Sequence, residues 1–220
     1  MKLTLNSGAK SHGIINPVGA IISKLKVYEN YGLTNHLKTI EEAIKKDYKQ
    51  ILSQKEVAGY RDIFINQGYQ KMIPAGEKLT ELVVKRGLNF YNNIVDSYNI
   101  VSAQFAAGIG MHDADKIKGD IVITISKDDK KIMPLFKKDY KTIPVGDLIY
   151  HSNDMVMAWL GKRDVDSEFF KVDNSTTSVC IIVLGNKYTS KEYNENIANE
   201  IFSLLKMTCK EAEIEFLKVE

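Results

Sequence analysis

The chain has 220 residues, of which 44% are hydrophobic and 26% are charged, a balance typical of a globular protein that excludes an intrinsically disordered one. Its length allows one sizeable domain or two small ones. Lysine and arginine number 30 and the acids 28, so the net charge of +2 excludes the overall basic field of proteins that coat duplex nucleic acid. The only arginines are Arg61, Arg86 and Arg163.

The first half of the chain has the three-to-four-residue apolar spacing of amphipathic helices. The clearest case runs from Asn35 to Gln54. Three further helices are predicted at residues 56–67, 77–85 and 93–107, and a glycine follows the C-terminal end of each of them. The run Gly108-Ile109-Gly110 is expected to terminate the last of them.

After Gly119 the hydrophobic period changes to that of strands. Strands are predicted at 120–126 and just before Pro134, and a hairpin is predicted from 147–151 and 155–160. A further strand at 179–184 is apolar throughout, which predicts a central position in a sheet. A helix at 191–207 and an edge strand at 213–219 complete the pattern. With no repeat, no low-complexity linker and four prolines, this pattern favours a single α+β domain, residues 1–220, over two domains.

Cysteine usage and apolar segments bear on the compartment. Cys180 and Cys209 have no CxxC spacing and no histidine nearby in sequence, so we expect reduced, buried thiols rather than a disulfide or a zinc site. No apolar run approaches the roughly 18 residues of a membrane span, and the N-terminus lacks the apolar region of a signal peptide. A cytoplasmic protein without membrane contact is therefore expected.

Common catalytic signatures are missing from the chain. There is no GxGxxG after a strand, no Walker loop, no HExxH and no GxSxG. The histidines lack metal-ligand spacing; they are His12, His36, His112 and His151. We therefore expect no metal and no cofactor.

The densest polar region begins at Asp96. On a helix, Asp96, Asn99 and Ser102 fall within about a third of the circumference, so they could face one pocket, although such triads also occur as solvated faces. Gly108 and Gly110 follow directly. Glycine lets backbone approach a ligand closely and present N–H groups to an oxygen that becomes negative, which favours the pocket.

A series of short motifs runs in order over more than half of the chain. They are Tyr60-Arg61 with Gly68, Glu81-Leu82 with Arg86, the segment 93–102, Gly108-Ile109-Gly110, the segment 113–120, the segment 144–150, and Trp159 with Arg163-Asp164 and Ser167. In this order and spacing, residues 60 to 184 resemble the B3/B4 domain of the phenylalanyl-tRNA synthetase beta subunit, and above all its free-standing relatives. The resemblance implies a B3/B4-type α+β fold, with a mixed or antiparallel sheet and flanking helices, here carrying N-terminal and C-terminal helical extensions.

The resemblance also implies an activity, the hydrolytic editing of mischarged aminoacyl-tRNA, with the aminoacylated 3′ end of the tRNA as partner. An aminoacyl ester is already activated, so a positioned water and an oxyanion pocket can suffice. The catalytic residues implied are Asn99, which would hold amino or ribose groups, and His112, which would orient water with a pKa near about 6.5. The substrate-binding residues implied are Asp96, Ser102, Gly108, Gly110, Asp113, Trp159 and Arg163. Arg61 and Arg86 would contact RNA or brace the fold.

Several of these side chains have a plainer interpretation. His112 could be a packing histidine, Asp96 a brace for its helix, and Trp159 ordinary core. Arg163 could form a loop ion pair with the next residue, and Arg61 could pair with a nearby aspartate, either Asp62 or Asp96. The lysine pairs could meet tRNA phosphate or form solvated faces; they lie at 45–46, 130–131 and 137–138.

The chain also departs from the family pattern. Where the synthetase domain has a histidine, this chain has Gly110, and the segment 179–184 has no counterpart of the glutamate that reads a tyrosine hydroxyl. The usual arginine before the tryptophan is Ala158. Three hypotheses follow: a trans-editing deacylase, a non-catalytic module of the same fold that binds tRNA or a small molecule, and a hydrolase of some other amino-acid ester or amide.

Overall fold

A computed structural model describes all 220 residues. The helices are α1 (Ser7–Ser11), α2 (Thr34–Ser53), α3 (Lys55–Asn66), α4 (Ala75–Arg86), α5 (Asn93–Phe105) and α6 (Lys191–Thr208). The strands are β1 (Lys2–Leu5), β2 (Val18–Ser23), β3 (Ile109–Asp113), β4 (Ile121–Ile125), β5 (Lys131–Ile132), β6 (Lys141–Thr142), β7 (Leu148–Ser152), β8 (Met155–Leu160), β9 (Asp164–Asp166), β10 (Val179–Val183), β11 (Glu213–Phe216) and β12 (Lys218–Val219). The helices predicted from apolar spacing are confirmed to within a few residues at each end.

The strands form two main sheets. The first has the order β12-β1-β4-β7-β8-β9, in which β1 is parallel to both of its neighbours and the remaining pairs are antiparallel. The second has the order β11-β2-β10-β3 and is antiparallel throughout. β5 and β6 form a separate small hairpin. The architecture is therefore α+β with one mixed and one antiparallel sheet, as predicted.

A continuous apolar core joins the helices to both sheets. All five residues of β10 are buried because the strand lies between β2 and β3, which confirms the central position predicted from its unbroken apolar run. α6 packs on β2 and β10, and α5 packs on α2, α4 and α6. Cys180 and Cys209 are buried in this core as free thiols, as expected.

The end of α5 differs from the prediction. Asn92 caps the start of the helix, with its side-chain oxygen accepting the N–H groups of Ile94 and Val95 at 3.0 and 2.8 Å. The helix ends at Ala106, whose φ of 45° is left-handed. The glycine run therefore does not terminate the helix, and Gly110 lies within β3.

The segments on either side of residues 60–184 contain helices α2 and α6 and also strands. β1 and β2 precede α2, and the predicted edge strand at 213–219 is present as β11 and β12, each at the edge of a different sheet. These strands are short, so their conformation comes from pairing: β1 with β4, β2 with β10, β11 with β2 and β12 with β1. The terminal segments are consequently part of both sheets.

Two further expectations concern membranes and metals. None of the helices combines the length and the apolar character that crossing a bilayer would need. No three His, Cys, Asp or Glu side chains come together in a way that could hold a metal ion.

Candidate functional site

Two adjacent cavities lie between the helices and the strands. The first, which we call the acidic cavity, has a volume of about 250 Å³ and is lined by residues that include Tyr60, Gly108, Gly110, Tyr150, Asp164 and Asp166. The second, the asparagine cavity, has a volume of about 420 Å³ and is lined by residues that include Arg86, Asn89, Asn92, Asn99, His112 and Lys171. Tyr98, Leu135 and Asp166 line both, so the two cavities share a wall.

The charge of the acidic cavity comes from β9. Asp164 and Asp166 are two residues apart on one strand, so their side chains leave the same face. The backbone N–H of Ala75 donates to Asp164 Oδ2 at 2.6 Å, and the Tyr150 hydroxyl lies 3.4 Å from Asp166 Oδ1. Burial raises the pKa of Asp164 to about 6, and burial together with the charge of Asp164 raises the pKa of Asp166 to about 8.

His112 reaches the same carboxylate from β3. Its Nε2 lies 2.8 Å from the Tyr150 hydroxyl and 3.8 Å from Asp166 Oδ1, while its Nδ1 has no hydrogen-bond partner. The side chain is fully buried, and burial lowers its pKa to about 3. The imidazole is therefore neutral near pH 7, and the expectation of an ordinary pKa near about 6.5 is wrong.

Gly110 has no room for a side chain. A Cβ at this position would overlap the Tyr150 hydroxyl and lie 3.0 Å from His112 Nε2. The Tyr150 hydroxyl therefore occupies the space next to the position where the family pattern has a histidine. The backbone N–H of Gly110 is also committed, because Gly110 pairs with Ile182 at a hydrogen-bonded position of the antiparallel ladder.

Gly108 differs from Gly110 in its backbone. Its carbonyl accepts the N–H of Leu184 at 2.8 Å, but its own N–H makes no hydrogen bond within the protein. Since Gly108 lines the acidic cavity, this N–H is a free donor beside it. The two N–H donors expected from the glycine pair are thus reduced to one.

The polar triad of α5 divides into one cavity residue and two internal ones. Asn99 lines the asparagine cavity, and its amide makes no hydrogen bond within the protein. The Asp96 carboxylate is buried and accepts the N–H of Tyr91 at 2.9 and 3.0 Å and the Tyr31 hydroxyl. Ser102 is buried and donates to the Ala107 carbonyl at 3.3 Å. The expectation that all three face one pocket is therefore wrong, because two of them satisfy local backbone and loop groups.

Asp113 and Trp159, expected to bind substrate, have internal partners and line neither cavity. The Asp113 carboxylate is buried against Thr176 Oγ1 at 2.8 Å and Lys116 Nζ at 3.1 Å. Trp159 is buried, and its indole N–H donates to Asp147 Oδ2 at 2.6 Å. Both residues brace the fold.

The arginines lie in three different environments. Arg61 forms a two-pronged ion pair with Glu77, at 2.7 and 2.8 Å, which joins α3 to α4. Arg163 is exposed in the turn between β8 and β9, makes no ion pair and lines neither cavity. Arg86 is exposed, has no acidic partner and lines the asparagine cavity.

The loop of the β5–β6 hairpin contributes to both cavities. Leu135 of its loop lines both cavities, and Phe136 lines the asparagine cavity while remaining 81% exposed. The lysine pairs 130–131 and 137–138 flank these residues, and among them only Lys130 has an acidic partner, Asp128 at 3.5 Å. Lys45, by contrast, pairs with both Glu41 and Glu42 at 2.7 and 2.8 Å.

Sequence reasoning missed three residues of the site. Tyr150 and Asp164 were quoted only as parts of motifs, and Asp166 was not singled out. The signal that could have identified the acids is the alternation Asp164-Val165-Asp166, which in a strand puts two carboxylates on one face. The partner of Tyr150 lies on another strand of another sheet, so no local pattern indicates it.

Comparisons with known proteins agree with one another. Residues 63–200 match the family profile described as the B3/4 domain. The phenylalanine–tRNA ligase beta subunit of Fusobacterium nucleatum is 25% identical over 171 residues, which cover 78% of this chain and 20% of the relative. That of Mycoplasma pneumoniae is 30% identical over 98 residues, covering 44% of this chain and 12% of the relative. The chain thus spans about a fifth or less of the curated relatives it matches.

A solved structure supports the same fold. The N-terminal fragment of the phenylalanyl-tRNA synthetase beta subunit from Pyrococcus horikoshii superposes with a TM-score of 0.57 at 15% sequence identity. The match covers 100% of this chain and 51% of that fragment. At this identity the likeness concerns the fold.

Proposed function

Because the chain belongs to the B3/4 domain family, as the resemblance in the sequence indicated, we propose that it deacylates mischarged aminoacyl-tRNA in trans. The observation that carries the proposal is the free amide of Asn99 in a cavity that shares a wall with a second cavity of amino-acid size. The end of an aminoacyl-tRNA has two parts, a terminal nucleotide and the amino acid joined to it, which corresponds to the two adjacent cavities. In the proposal, the terminal nucleotide occupies the asparagine cavity and the aminoacyl group occupies the acidic cavity.

The charges around the asparagine cavity suit a nucleotide. Arg86 contributes an unpaired positive charge, whereas Lys171 is paired with Glu168. Asn99 has both a donor and an acceptor for ribose hydroxyls. The exposed ring of Phe136 offers a surface on which a base can stack. Two lysines precede it in the sequence, at 130–131, and two follow it, at 137–138. A net charge of +2 is compatible with this function because a tRNA end requires only a local basic rim.

Hydrolysis in this site requires little acid–base chemistry from the protein. The free N–H of Gly108 can donate to the ester carbonyl oxygen as it becomes negative, and Asn99 can hold the ribose in place. His112 is a poor base because its pKa is lowered to about 3. Its role in the proposal is to fix the Tyr150 hydroxyl beside Gly110, and the attacking water is positioned rather than strongly activated.

The test is a deacylation assay on a panel of mischarged tRNAs, comparing the wild type with Asn99→Ala. We expect kcat/KM to fall about a hundredfold, since removing a positioned donor typically has that effect. The matched control is Asn174→Ala, which changes an exposed asparagine with no side-chain hydrogen bond and should leave the rate unchanged. The proposal fails if the wild type deacylates no member of the panel faster than Asn99→Ala.

A second candidate function is a binding module without turnover. The lowered pKa of His112 and the glycine at position 110 favour it, because neither supplies a base. Tight, salt-dependent tRNA binding in the absence of deacylation would identify this function. Hydrolysis of a small aminoacyl ester, with no reaction on any tRNA, would instead identify an esterase.

A further inference from the structure

The carboxylates of the acidic cavity have no cationic partner. Neither Asp164 nor Asp166 forms an ion pair with lysine or arginine, and one oxygen of each, Asp164 Oδ1 and Asp166 Oδ2, accepts no hydrogen bond from the protein. Both side chains are partly exposed toward a mostly apolar cavity, so their charge is available to a ligand and is not neutralised by the protein. The cavity therefore lacks a positive group that a ligand could supply.

One unpaired polar atom elsewhere on the wall also indicates a ligand. Tyr60 lines the acidic cavity, is 1% exposed, and its hydroxyl has no hydrogen-bond partner. Buried polar atoms are paired in most folded proteins, so this unpaired hydroxyl indicates an incomplete site.

The remaining walls are suited to an aliphatic chain. Ile63, Phe64, Leu160 and Leu184 line the cavity, and most of its lining residues are hydrophobic. Long cationic side chains combine an apolar stem with a charged head, which is the same combination of chemistry.

We infer that the acidic cavity selects an amino acid whose side chain ends in a positive charge, held by Asp164 and Asp166. This inference rests on the proposed function for the carrier of that amino acid, the tRNA, but the selectivity of the cavity can be measured without it. This chain has no counterpart of the glutamate that reads a tyrosine hydroxyl in the synthetase domain. In the inference, selection of a cationic side chain takes the place of that recognition.

The charge of the pair favours a cation over a neutral hydroxyl. With pKa values of about 6 and about 8, the pair carries close to one negative charge at pH 7, chiefly on Asp164. A bound cation neutralises that charge and favours ionisation of Asp166, so binding should release protons. The groups around the pair are His112 of β3, Tyr150 of β7, Tyr98 of α5 and, at longer range, Lys78 of α4.

The decisive measurement is calorimetric binding of two amides at pH 7, L-lysinamide and L-2-aminoheptanamide. Their side chains have the same number of heavy atoms, and both carry the α-ammonium, so only the charge at the end of the side chain differs. We expect lysinamide to bind about tenfold more tightly and to release protons, as detected in buffers of different ionisation enthalpy. The double variant Asp164→Asn, Asp166→Asn should lose both the preference and the proton release.

Controls separate the possible outcomes. Asp154→Asn, in the exposed turn of the β7–β8 hairpin, should keep the preference, and each single variant should lose part of it. Equal affinity for the two amides, no binding of either, or a preference that survives in the double variant would overturn the inference. A loss of affinity for both amides alike in the double variant would also overturn it, because the carboxylates would then hold the α-ammonium.

The deacylation assay keeps this inference distinct from the proposed function. A wild-type preference for lysinamide with no deacylation of any tRNA in the panel, lysyl-tRNA included, would refute the editing activity and leave the cation site standing. Deacylation of tyrosyl-tRNA in preference to lysyl-tRNA, together with equal amide affinities, would support editing and refute the cation site.

Discussion

The two cavities share a wall that includes Asp166 but differ in the charged groups on their other walls. The acidic cavity is mostly apolar and contains two carboxylates without a cationic partner, whereas the asparagine cavity has Arg86 without an acidic partner beside free amides. The net charge of +2 does not reveal this contrast, because it adds up all charges of the chain, whereas each cavity is affected mainly by the charges close to it. The arrangement teaches that the ligand to look for is bipolar, with an anionic end and a cationic end.

The largest expected effect comes from closing the wall of the acidic cavity with Gly110→Ala. The new Cβ would overlap the Tyr150 hydroxyl and crowd His112 Nε2, so both side chains must move. Overpacking of this kind costs about 1–3 kcal/mol in the free energy of unfolding, which urea denaturation measures. Binding in the acidic cavity should fall more than nucleotide binding in the asparagine cavity, which His112 also lines.

The background Tyr150→Phe provides the control for this prediction. It removes the oxygen that clashes, although the ring carbon Cζ would still lie 3.0 Å from the added Cβ. Gly110→Ala should therefore destabilise the Phe background less than the wild type. Equal destabilisation in both backgrounds would show that the Tyr150 hydroxyl does not limit this position.

A second expected effect is the pH dependence of stability that the acidic cavity confers. Burial raises the pKa of Asp164 and Asp166 from 3.8 to about 6 and about 8, so between these limits the folded state binds more protons than the unfolded state. The contribution is fully present below about pH 4 and is lost as pH rises through 6 and 8. We expect stability to fall progressively between pH 5 and 8.5.

The double variant Asp164→Asn, Asp166→Asn isolates this contribution. Its free energy of unfolding, measured by urea denaturation across the same pH range, should fall less steeply than that of the wild type. A wild type whose stability is unchanged or increases relative to the variant as pH rises would contradict the raised pKa values.

Helix positions could be read from the sequence because each helix carries its own signal. α2 and α6 repeat apolar residues at three-to-four spacing, and that period alone specifies a buried face. β3 carries no such signal, because Gly108 precedes it and Gly110 lies within it, and the strand exists through its pairing with β10. Signals that depend on a partner distant in the chain are not present in a local window.

The same distinction applies to the site. Asn99 was predicted because the family motif and the helical face both include it, and it does line a cavity with a free amide. Asp96 and Ser102 lie on nearly the same face of the same helix, yet they bond to Tyr91 and Ala107 in adjoining loops. Whether a helical polar residue meets a ligand or a loop depends on what packs over it, which spacing does not specify.

The smallest expected effect concerns the basic side of the comparison. Arg86→Ala should weaken tRNA binding about threefold to tenfold and reduce the slope of log affinity against log salt by about 0.7, as loss of one phosphate contact on a single strand predicts. Arg163→Ala is the matched control, since it removes an equally exposed arginine that lines neither cavity. Filter binding at several salt concentrations measures both. Equal slopes for the two variants would mean that Arg86 contacts no phosphate. The charge of the ligand would then no longer distinguish the asparagine cavity from the acidic cavity.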